Sequence, residues 1–315
     1  MSISVEYYSD NRRQEWDNFV KSAKNGHFMF YRDYMEYHAD RFQDGSLMFY
    51  DGKNRLCALL PANISKRVLY THQGLTFGGM LINDKATTEK VYNTFIALKK
   101  FLKDKNAVDK IIYKRLPDFY CSYPSQEDLY SLFLLDARLI KRDVTVAIDL
   151  EKPYSYQEMR KRTIKKALKS NLEIKEVLSL KAYWSLLTTV LKKQHDTEPV
   201  HSLDEIDFLK SKFPDNIKCY VAVLNEEVLA GTLIFETPLV AHAQYLANSE
   251  RGREIGALDL TIDYLIKKIY FEKKFFNFGI STENDGRNLN LGLISQKEGF
   301  GARALVHDCY EVMIA

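Results

Sequence analysis

The chain has 315 residues, of which 46% are hydrophobic and 28% are charged, and its formal net charge at pH 7 is +3. These values are those of an ordinary globular protein, and two domains are expected because one core rarely suffices at this length. The small net charge argues against a protein that binds nucleic acid through its overall charge, so any basic function must be local.

Neither the N-terminus nor the cysteines indicate export or a metal site. The first residues, MSISVEYYSDNRRQEW, contain no apolar signal core, and no stretch reaches the roughly 18 uncharged apolar residues of a spanning helix. The cysteines, Cys57, Cys121, Cys219 and Cys309, form no C-x-x-C pair, so the spacing implies neither zinc nor a disulfide framework. We therefore expect reduced thiols, no membrane span and a cytoplasmic location.

The first half of the chain predicts alternating strands and helices. Helix 86–104 is indicated by Val91, Phe95, Leu98 and Leu102 on one face, and Asp51-Gly52-Lys53-Asn54 is a hairpin signal. In chain order, the predicted elements are strand 3–8, helices 12–23 and 31–41, strands 46–51 and 55–64, helix 86–104, strand 110–115, helix 126–135 and strand 139–149.

The second half predicts a similar order of elements. These are helices 156–169, 180–193 and 203–212, strands 217–223, 227–236 and 240–247, helix 256–271, strand 274–279, helix 288–298 and strand 302–313. The hairpin at Tyr50–Ala58 aligns with Val223–Gly231, and Asp136-Ala137-Arg138 aligns with Gly301-Ala302-Arg303. The chain is thus predicted to be a duplicated α/β protein with mixed sheets, and Glu151-Lys152-Pro153 separates domains 1–150 and 151–315.

Three segments of the second half carry a family resemblance. They are the basic helix Met159–Ala167, the strand Phe276-Asn277-Phe278-Gly279-Ile280, and Lys297-Glu298-Gly299-Phe300-Gly301. The last two are similar to the "FDFG" and "FK..FG" signatures of the FemAB-like group of the GNAT superfamily, with Asn277 where Asp is usual. The resemblance implies two tandem GNAT-like domains and transfer of an acyl or aminoacyl group to an amine. In this family the acceptor can be a peptide of a cell-wall precursor.

The loop before helix 256–271 bears on the donor. Many GNAT domains that use coenzyme A carry Q/R-x-x-G-x-G/A there, with backbone N–H groups that hold the pyrophosphate. Arg253 and Gly256 fit the first two positions, whereas Leu258 stands where Gly or Ala is expected. Arg251, Arg253 and Gly256 are therefore cofactor-binding candidates, and the alternative is an ordinary charged loop. Acyl-CoA and aminoacyl-tRNA both stay open as co-substrates, and no tightly bound cofactor is expected.

A basic stripe is predicted on helix 156–169. Arg162, Lys165, Lys166 and Lys169 recur at i, i+3, i+4 and i+7 and have no acidic partner at i+4. Such a stripe can bind the phosphates of a nucleotide-linked donor, an acceptor or tRNA. The alternative is an ordinary solvated helix face. We take Arg162, Lys165 and Lys169 as substrate-binding candidates.

Lys297 is the first catalytic candidate. Acyl transfer needs a donor or a cation beside the carbonyl oxygen, where negative charge grows in the tetrahedral state. A lysine at the end of a helix can also be a simple C-terminal capping charge. The resemblance to the "FK..FG" signature favours the catalytic alternative. Ser281 and Glu283 follow the preceding strand and are expected near Lys297, as substrate-binding residues.

Two histidines in the loop His195–His201 are further catalytic candidates. A histidine there can act as a base or contact the substrate, or the loop can be purely structural. The spacing of His195 and His201 does not fit one helical face and no cysteine supports it, so no metal is predicted.

In the first half, the segment His72-Gln73-Gly74-Leu75-Thr76-Phe77-Gly78-Gly79 combines glycines with polar side chains. His72, Gln73 and Thr76 are substrate-binding candidates, whereas the glycines can equally shape a bulge. No P-loop, HExxH or EF-hand pattern is present. The competing function is a binding module that keeps the GNAT fold without its chemistry. The sequence does not give the oligomeric state.

Overall fold

The computed structural model describes residues 2–314, which form two compact units. The first contains the residues up to Asp143, the segment Asn284–Arg287 and the residues from Val306 onward. The second contains Val144–Glu283 and Asn288–Leu305. The predicted division into domains 1–150 and 151–315 stays a prediction. Mixed α/β architecture is confirmed.

The first unit alternates short strands with helices. Its elements are β1 (Ser4–Tyr7), α1 (Arg13–Ser22), α2 (Arg32–Met35), β2 (Gln43–Asp44), β3 (Leu47–Tyr50), β4 (Leu56–Leu60), β5 (Asn63–Ser65), β6 (Val68–Tyr70), β7 (Leu81–Ile82), α3 (Thr88–Lys105), β8 (Lys110–Lys114), α4 (Glu127–Leu134) and the first half of β9 (Arg138–Asp149). Antiparallel strands form one sheet in the order β1-β3-β4-β7. Helix α3 buries Val91, Phe95, Leu98 and Leu102 in the core, as its period predicts.

The second unit contains the longer strands. Its elements are the second half of β9, α5 (Glu158–Ala167), β10 (Glu173–Glu176), α6 (Lys181–His195), α7 (Leu203–Lys212), β11 (Ile217–Leu224), β12 (Glu227–Glu236), β13 (Val240–Asn248), α8 (Glu250–Ile255), α9 (Ala257–Tyr264), β14 (Phe275–Ile280), β15 (Thr282–Glu283), β16 (Asn288–Leu289), α10 (Leu291–Glu298) and the start of β17 (Arg303–Met313). A π-helical segment, Leu265–Ile269, continues directly from α9. The strands follow the order β10-β11-β12-β13-β14-β9.

The last part of β17 belongs to the first unit. There it pairs antiparallel with β8, with Cys309 opposite Lys114 and Met313 opposite Lys110. On its other edge, β8 pairs in parallel with β6, and β5 and β2 follow. Residues that follow the second unit in the chain therefore complete this sheet of the first unit.

Several predicted elements differ from those observed. The predicted helix 31–41 shrinks to α2, because the residues after Met35 form tight turns around the stacked rings of Tyr37 and His38. Helix α5 ends at Ala167, so Lys169 lies in the turn beyond it. The predicted helix 288–298 begins only at Leu291, where Asn290 caps it through Leu293 N.

None of the helices in the described part of the chain is long and apolar enough to cross a membrane.

Candidate active site

Strands β13 and β14 diverge in the second unit. They pair in parallel only over Val240–His242 and Phe275–Asn277, and each then continues beyond its last paired residue. A cavity of about 450 Å³ is lined by residues of both diverging ends, among them Leu246 of β13 and Phe278 of β14. Diverging strands leave room for a ligand inside a sheet, and a polar rim around apolar walls is typical of such sites.

Helices α5, α6, α8, α9 and α10 complete the walls of this cavity. Its apolar lining is Met159 on α5, Val190 and Leu191 on α6, Leu258 and Ile262 on α9, Leu293 on α10, and Phe300 beyond α10. Its polar lining is Arg160, Thr163, Gln194, Asn248, Arg253, Asp259, Gln296 and Lys297. Helix α5 lies against α9 because Gly256, at a φ of +84°, allows the approach: a Cβ there would be 2.5 Å from Thr163 Cγ2.

Lys297, in the last turn of α10, is buried at the edge of this cavity. Its Nζ donates to Gly279 O at 3.0 Å, Ile280 O at 2.6 Å and Ser281 Oγ at 3.0 Å. An ammonium has three N–H groups, so these acceptors use all of them. Burial lowers the pKa of Lys297 to about 7. The structure thus brings together two predicted site residues, Lys297 and Ser281. Their roles stay predictions.

A buried polar network supports the strand to which Lys297 is bonded. Asn277 Oδ1 accepts from Gly279 N at 2.9 Å and lies 2.6 Å from His242 Nδ1, while its Nδ2 donates to Thr145 Oγ1 at 2.9 Å. Since Asn277 Oδ1 can only accept, His242 carries its proton on Nδ1. Burial lowers the pKa of His242 to about 4, so the ring is neutral at pH 7. Sequence reasoning missed His242 and Thr145, because nothing local links them to Asn277.

A charged pair in the cavity wall was also missed. Arg160 Nη1 donates to Asp259 Oδ1, and the two side chains are only 11% and 9% exposed. The guanidinium lies 5.4 Å from the centroid of the Phe300 ring. The signal was present in the sequence: Arg160 shares a helix face with the buried residues Ile164 and Ala167, at i, i+4 and i+7.

The predicted basic stripe is solvent-exposed. Arg162, Lys165 and Lys169 have exposed side chains and form no ion pair among the described residues. Lys166 instead donates to Glu254 O at 2.6 Å. Arg162 and Lys165 therefore lie on the face of α5 away from its buried side, and Lys169 lies in the turn that follows. Their role in binding stays a prediction.

The three cofactor-binding candidates are separated. Arg253 lines the cavity, whereas Arg251 forms an exposed ion pair with Glu227 at 2.6 Å. Gly256 is in close contact with α5 through Thr163. Of these residues, Arg253 alone combines a positive charge with a place on the cavity wall.

The two histidine candidates, His195 and His201, lie at the end of α6 and in the loop after it. His195 ends α6, and its side chain lies outside the described residues. His201 is buried, and its Nδ1 lies 2.7 Å from Tyr245 OH. Burial raises the pKa of Tyr245 to about 12, so Tyr245 keeps its proton at neutral pH. Glu283 is exposed and accepts from Asn290 Nδ2 at 2.8 Å.

The remaining candidates belong to the first unit. His72 is buried at a φ of +108° and its ring stacks on His38 at 5.3 Å, with its pKa lowered to about 3 by burial. Gln73 Oε1 accepts from Asn63 Nδ2 at 2.8 Å, and Thr76 is exposed. A non-glycine residue at such a φ is strained, which often marks a functional site.

Comparison with known proteins gives the fold. No protein-family profile matches the sequence, and no curated protein matches it either. Among solved structures, FemX is similar with a TM-score of 0.68 and 12% identity, over 98% of this chain and 97% of that one. L-PGS from Bacillus licheniformis is similar with a TM-score of 0.60 and 13% identity, over 98% and 92%. A tandem GNAT protein from the clavulanic acid biosynthesis pathway gives a TM-score of 0.51 and 10% identity, over 100% and 99%. The chain therefore has the FemAB-like tandem GNAT fold.

Proposed function

We propose that this chain is an N-acyltransferase that moves an acyl or aminoacyl group from an activated donor to an amine. The donor is an acyl-CoA or an aminoacyl-tRNA, and the acceptor is a small-molecule or peptide amine, with cell-wall precursors as the first candidates. The observation that carries the proposal is the buried Lys297 at the edge of the cavity where β13 and β14 diverge. The proposal includes a cytoplasmic location.

In the reaction, the amine nitrogen attacks the carbonyl carbon of the ester or thioester. The carbonyl oxygen becomes an oxyanion, the bond to the leaving oxygen or sulfur breaks, and the amine gives up a proton. Positioning and an oxyanion partner supply much of the rate of such a step. Because Ser281 Oγ accepts from Lys297, its own O–H can donate to the oxyanion, with the ammonium charge directly behind it.

Other residues are proposed to bind the donor and to accept the proton that the amine gives up. Arg253 on the cavity wall, together with Arg162, Lys165 and Lys169, would bind phosphates of the donor, with Arg251 and Gly256 in the loop before α9. His201, with His195, is the proposed proton acceptor, and Glu283 a substrate contact. In the first unit, His72, Gln73 and Thr76 would contact the acceptor.

One observation favours the competing function, a binding module without chemistry. All three N–H groups of Lys297 already have acceptors, as expected of a lysine that only holds the end of β14. The two functions differ in what a donor does: a binding module is stabilised by it but forms no product.

The test combines thermal shift with product analysis. Acetyl-CoA, longer acyl-CoAs and aminoacyl-tRNAs are each added to the protein with a mixture of amines, and acylated products are identified by mass spectrometry. A donor at 100 times its Kd stabilises the fold by about 2.7 kcal/mol. Stabilisation with product that disappears in Lys297→Ala supports the transferase. Stabilisation without product from any donor supports the binding module.

A further inference from the structure

Three polar residues that line the cavity of the second unit have side-chain atoms that the protein does not satisfy. Among the described residues, Arg160 Nε and Asn248 Oδ1 are buried without a hydrogen-bond partner. The pair formed by Arg160 and Asp259 uses only Nη1 and Oδ1, which leaves Asp259 Oδ2 without a partner in the described chain as well. All three residues line the same cavity.

The two buried atoms, Arg160 Nε and Asn248 Oδ1, lower the stability of the fold unless a ligand completes their hydrogen bonds. A buried donor or acceptor without a partner costs about 1–3 kcal/mol. A buried ion pair is itself weak evidence for stability, because its desolvation can exceed its attraction. A purely structural cavity wall would be better served by apolar side chains, of which this cavity has many. The polar atoms therefore indicate recognition.

The kinds of atoms define the ligand. Asn248 Oδ1 and Asp259 Oδ2 are acceptors, so they need a group with more than one N–H, and a negative charge would be repelled by both. A primary ammonium has three N–H groups and a positive charge that suits Asp259. Arg160 keeps N–H groups for a carbonyl oxygen of the same ligand.

We propose that Arg160, Asn248 and Asp259 form an amine-binding site for a primary ammonium on a ligand that also carries a carbonyl oxygen. This chemistry has two sources in an amine-directed transferase: the α-ammonium of an aminoacyl group, or the amine of the acceptor before it loses its proton. The inference rests on the proposed function for the choice of these sources. The site itself rests on the pair of Arg160 and Asp259, on the unsatisfied atoms and on the cavity that the three residues share.

The test measures binding of small probes without any reaction. The twenty α-amino acid amides are titrated by calorimetry, each beside its Nα-acetyl form, and Nα-acetyl-lysine amide is the probe for an acceptor side-chain amine. We expect at least one free amine to bind saturably and its acetylated form to bind about tenfold more weakly or worse. Selective binding of α-amino amides assigns the site to the transferred group, and selective binding of Nα-acetyl-lysine amide assigns it to the acceptor.

Variants connect the binding to the site. Asp259→Asn keeps the shape and removes the charge, and should weaken binding about tenfold or more. Asp263→Asn is the matched control: Asp263 is one turn later on α9, is ion-paired with Lys267, and does not line the cavity. If Asp259→Asn does not fold, the double variant Arg160→Gln/Asp259→Asn removes both charges together and is measured in its place.

Three results would overturn the amine-binding site: no free amine binds, acetylated forms bind equally well, or Asp259→Asn binds as the wild type does. Acyl transfer is measured on the same preparations. Transfer without amine binding at the cavity removes this site and keeps the proposed function. Amine binding without transfer from any donor keeps the site and removes the proposed function.

Discussion

Each N–H group of Lys297 has an acceptor at the end of β14. Replacing the lysine by methionine leaves these oxygens without a donor, which should cost about 1–3 kcal/mol of unfolding free energy. Under the proposed function, Lys297→Met should also lower kcat about a hundredfold or more, the usual effect of losing an oxyanion partner. Steady-state kinetics and urea denaturation measure the two effects. The exposed Lys268→Met is the control, and unchanged turnover in a folded Lys297→Met would contradict the catalytic role.

The same lysine predicts a pH dependence of stability. Its pKa is about 7 in the folded chain and near the ordinary 10.5 in the unfolded chain. Between these values the unfolded chain holds a proton that the folded chain has lost, so unfolding free energy rises with pH. We expect the wild type to gain stability over Lys297→Met from pH 7 to about pH 10 in urea denaturation. If the unfolding free energies of the two proteins change in parallel with pH, the amine of Lys297 is not desolvated in the folded chain.

Asn277 stands where the related signature has Asp, and its Oδ1 faces the neutral ring of His242. In Asn277→Asp a carboxylate would face Nδ1, and the pKa of His242 should rise above its value of about 4. NMR titration of the ring measures this. The wild type should lose stability as the pH falls from about 6.5 towards 4, because the unfolded histidine binds a proton first. An unshifted His242 in Asn277→Asp would show that the 2.6 Å contact does not govern its protonation.

At the scale of elements, the contact between α5 and α9 depends on Gly256. An alanine there would meet Thr163 Cγ2 at 2.5 Å and Thr163 O at 3.0 Å, at a φ that side chains rarely adopt. We expect Gly256→Ala to lower the unfolding free energy by about 1–3 kcal/mol in chemical denaturation. Gly292→Ala is the control, because its Cβ would meet only Asn290 Oδ1 at 3.7 Å. Equal stability of the two variants would refute tight packing at Gly256.

Long elements with a clear period could be predicted, and short ones could not. Helix α7 and strand β12 have their predicted bounds, since apolar periodicity and a Ser202 capping box define them. Strand β10 was missed because three of its four residues, EIKE, are charged, as suits the edge of a sheet. Lys297 could be found from a motif. The contact between Asn277 and Thr145 could not, because it joins residues 132 positions apart.

At the scale of the whole molecule, the stripe on α5 predicts how binding responds to salt. If Arg162, Lys165 and Lys169 each contact a phosphate of tRNA, changing all three to Glu should lower the salt slope of binding by about one per contact. Fluorescence titration of tRNA over a range of salt concentrations measures the slope. The control changes the exposed lysines Lys53, Lys100 and Lys103 to Glu. If the salt slope falls equally in both variants, the effect comes from overall charge and the stripe is not a specific binding site.

The residues that complete the first unit also limit how the chain can be divided. A fragment ending at residue 150 lacks the part of β17 that pairs with β8, so an unsatisfied strand edge remains. We expect this fragment to aggregate or to give poorly dispersed NMR spectra, and adding a peptide of residues 303–315 to restore order. A well-folded fragment 1–150 would instead support the division drawn from the sequence.

Because the chain is synthesised from its N-terminus, this arrangement affects the order in which its parts can fold. The residues that pair with β8 leave the ribosome after the second unit, although β8 itself emerges before that unit. The first unit therefore waits, with the edge of β8 uncovered, while the second unit is still being made. Any product that stops short of Val306 lacks this pairing, so translation through β17 is a condition for folding the earlier part of the chain.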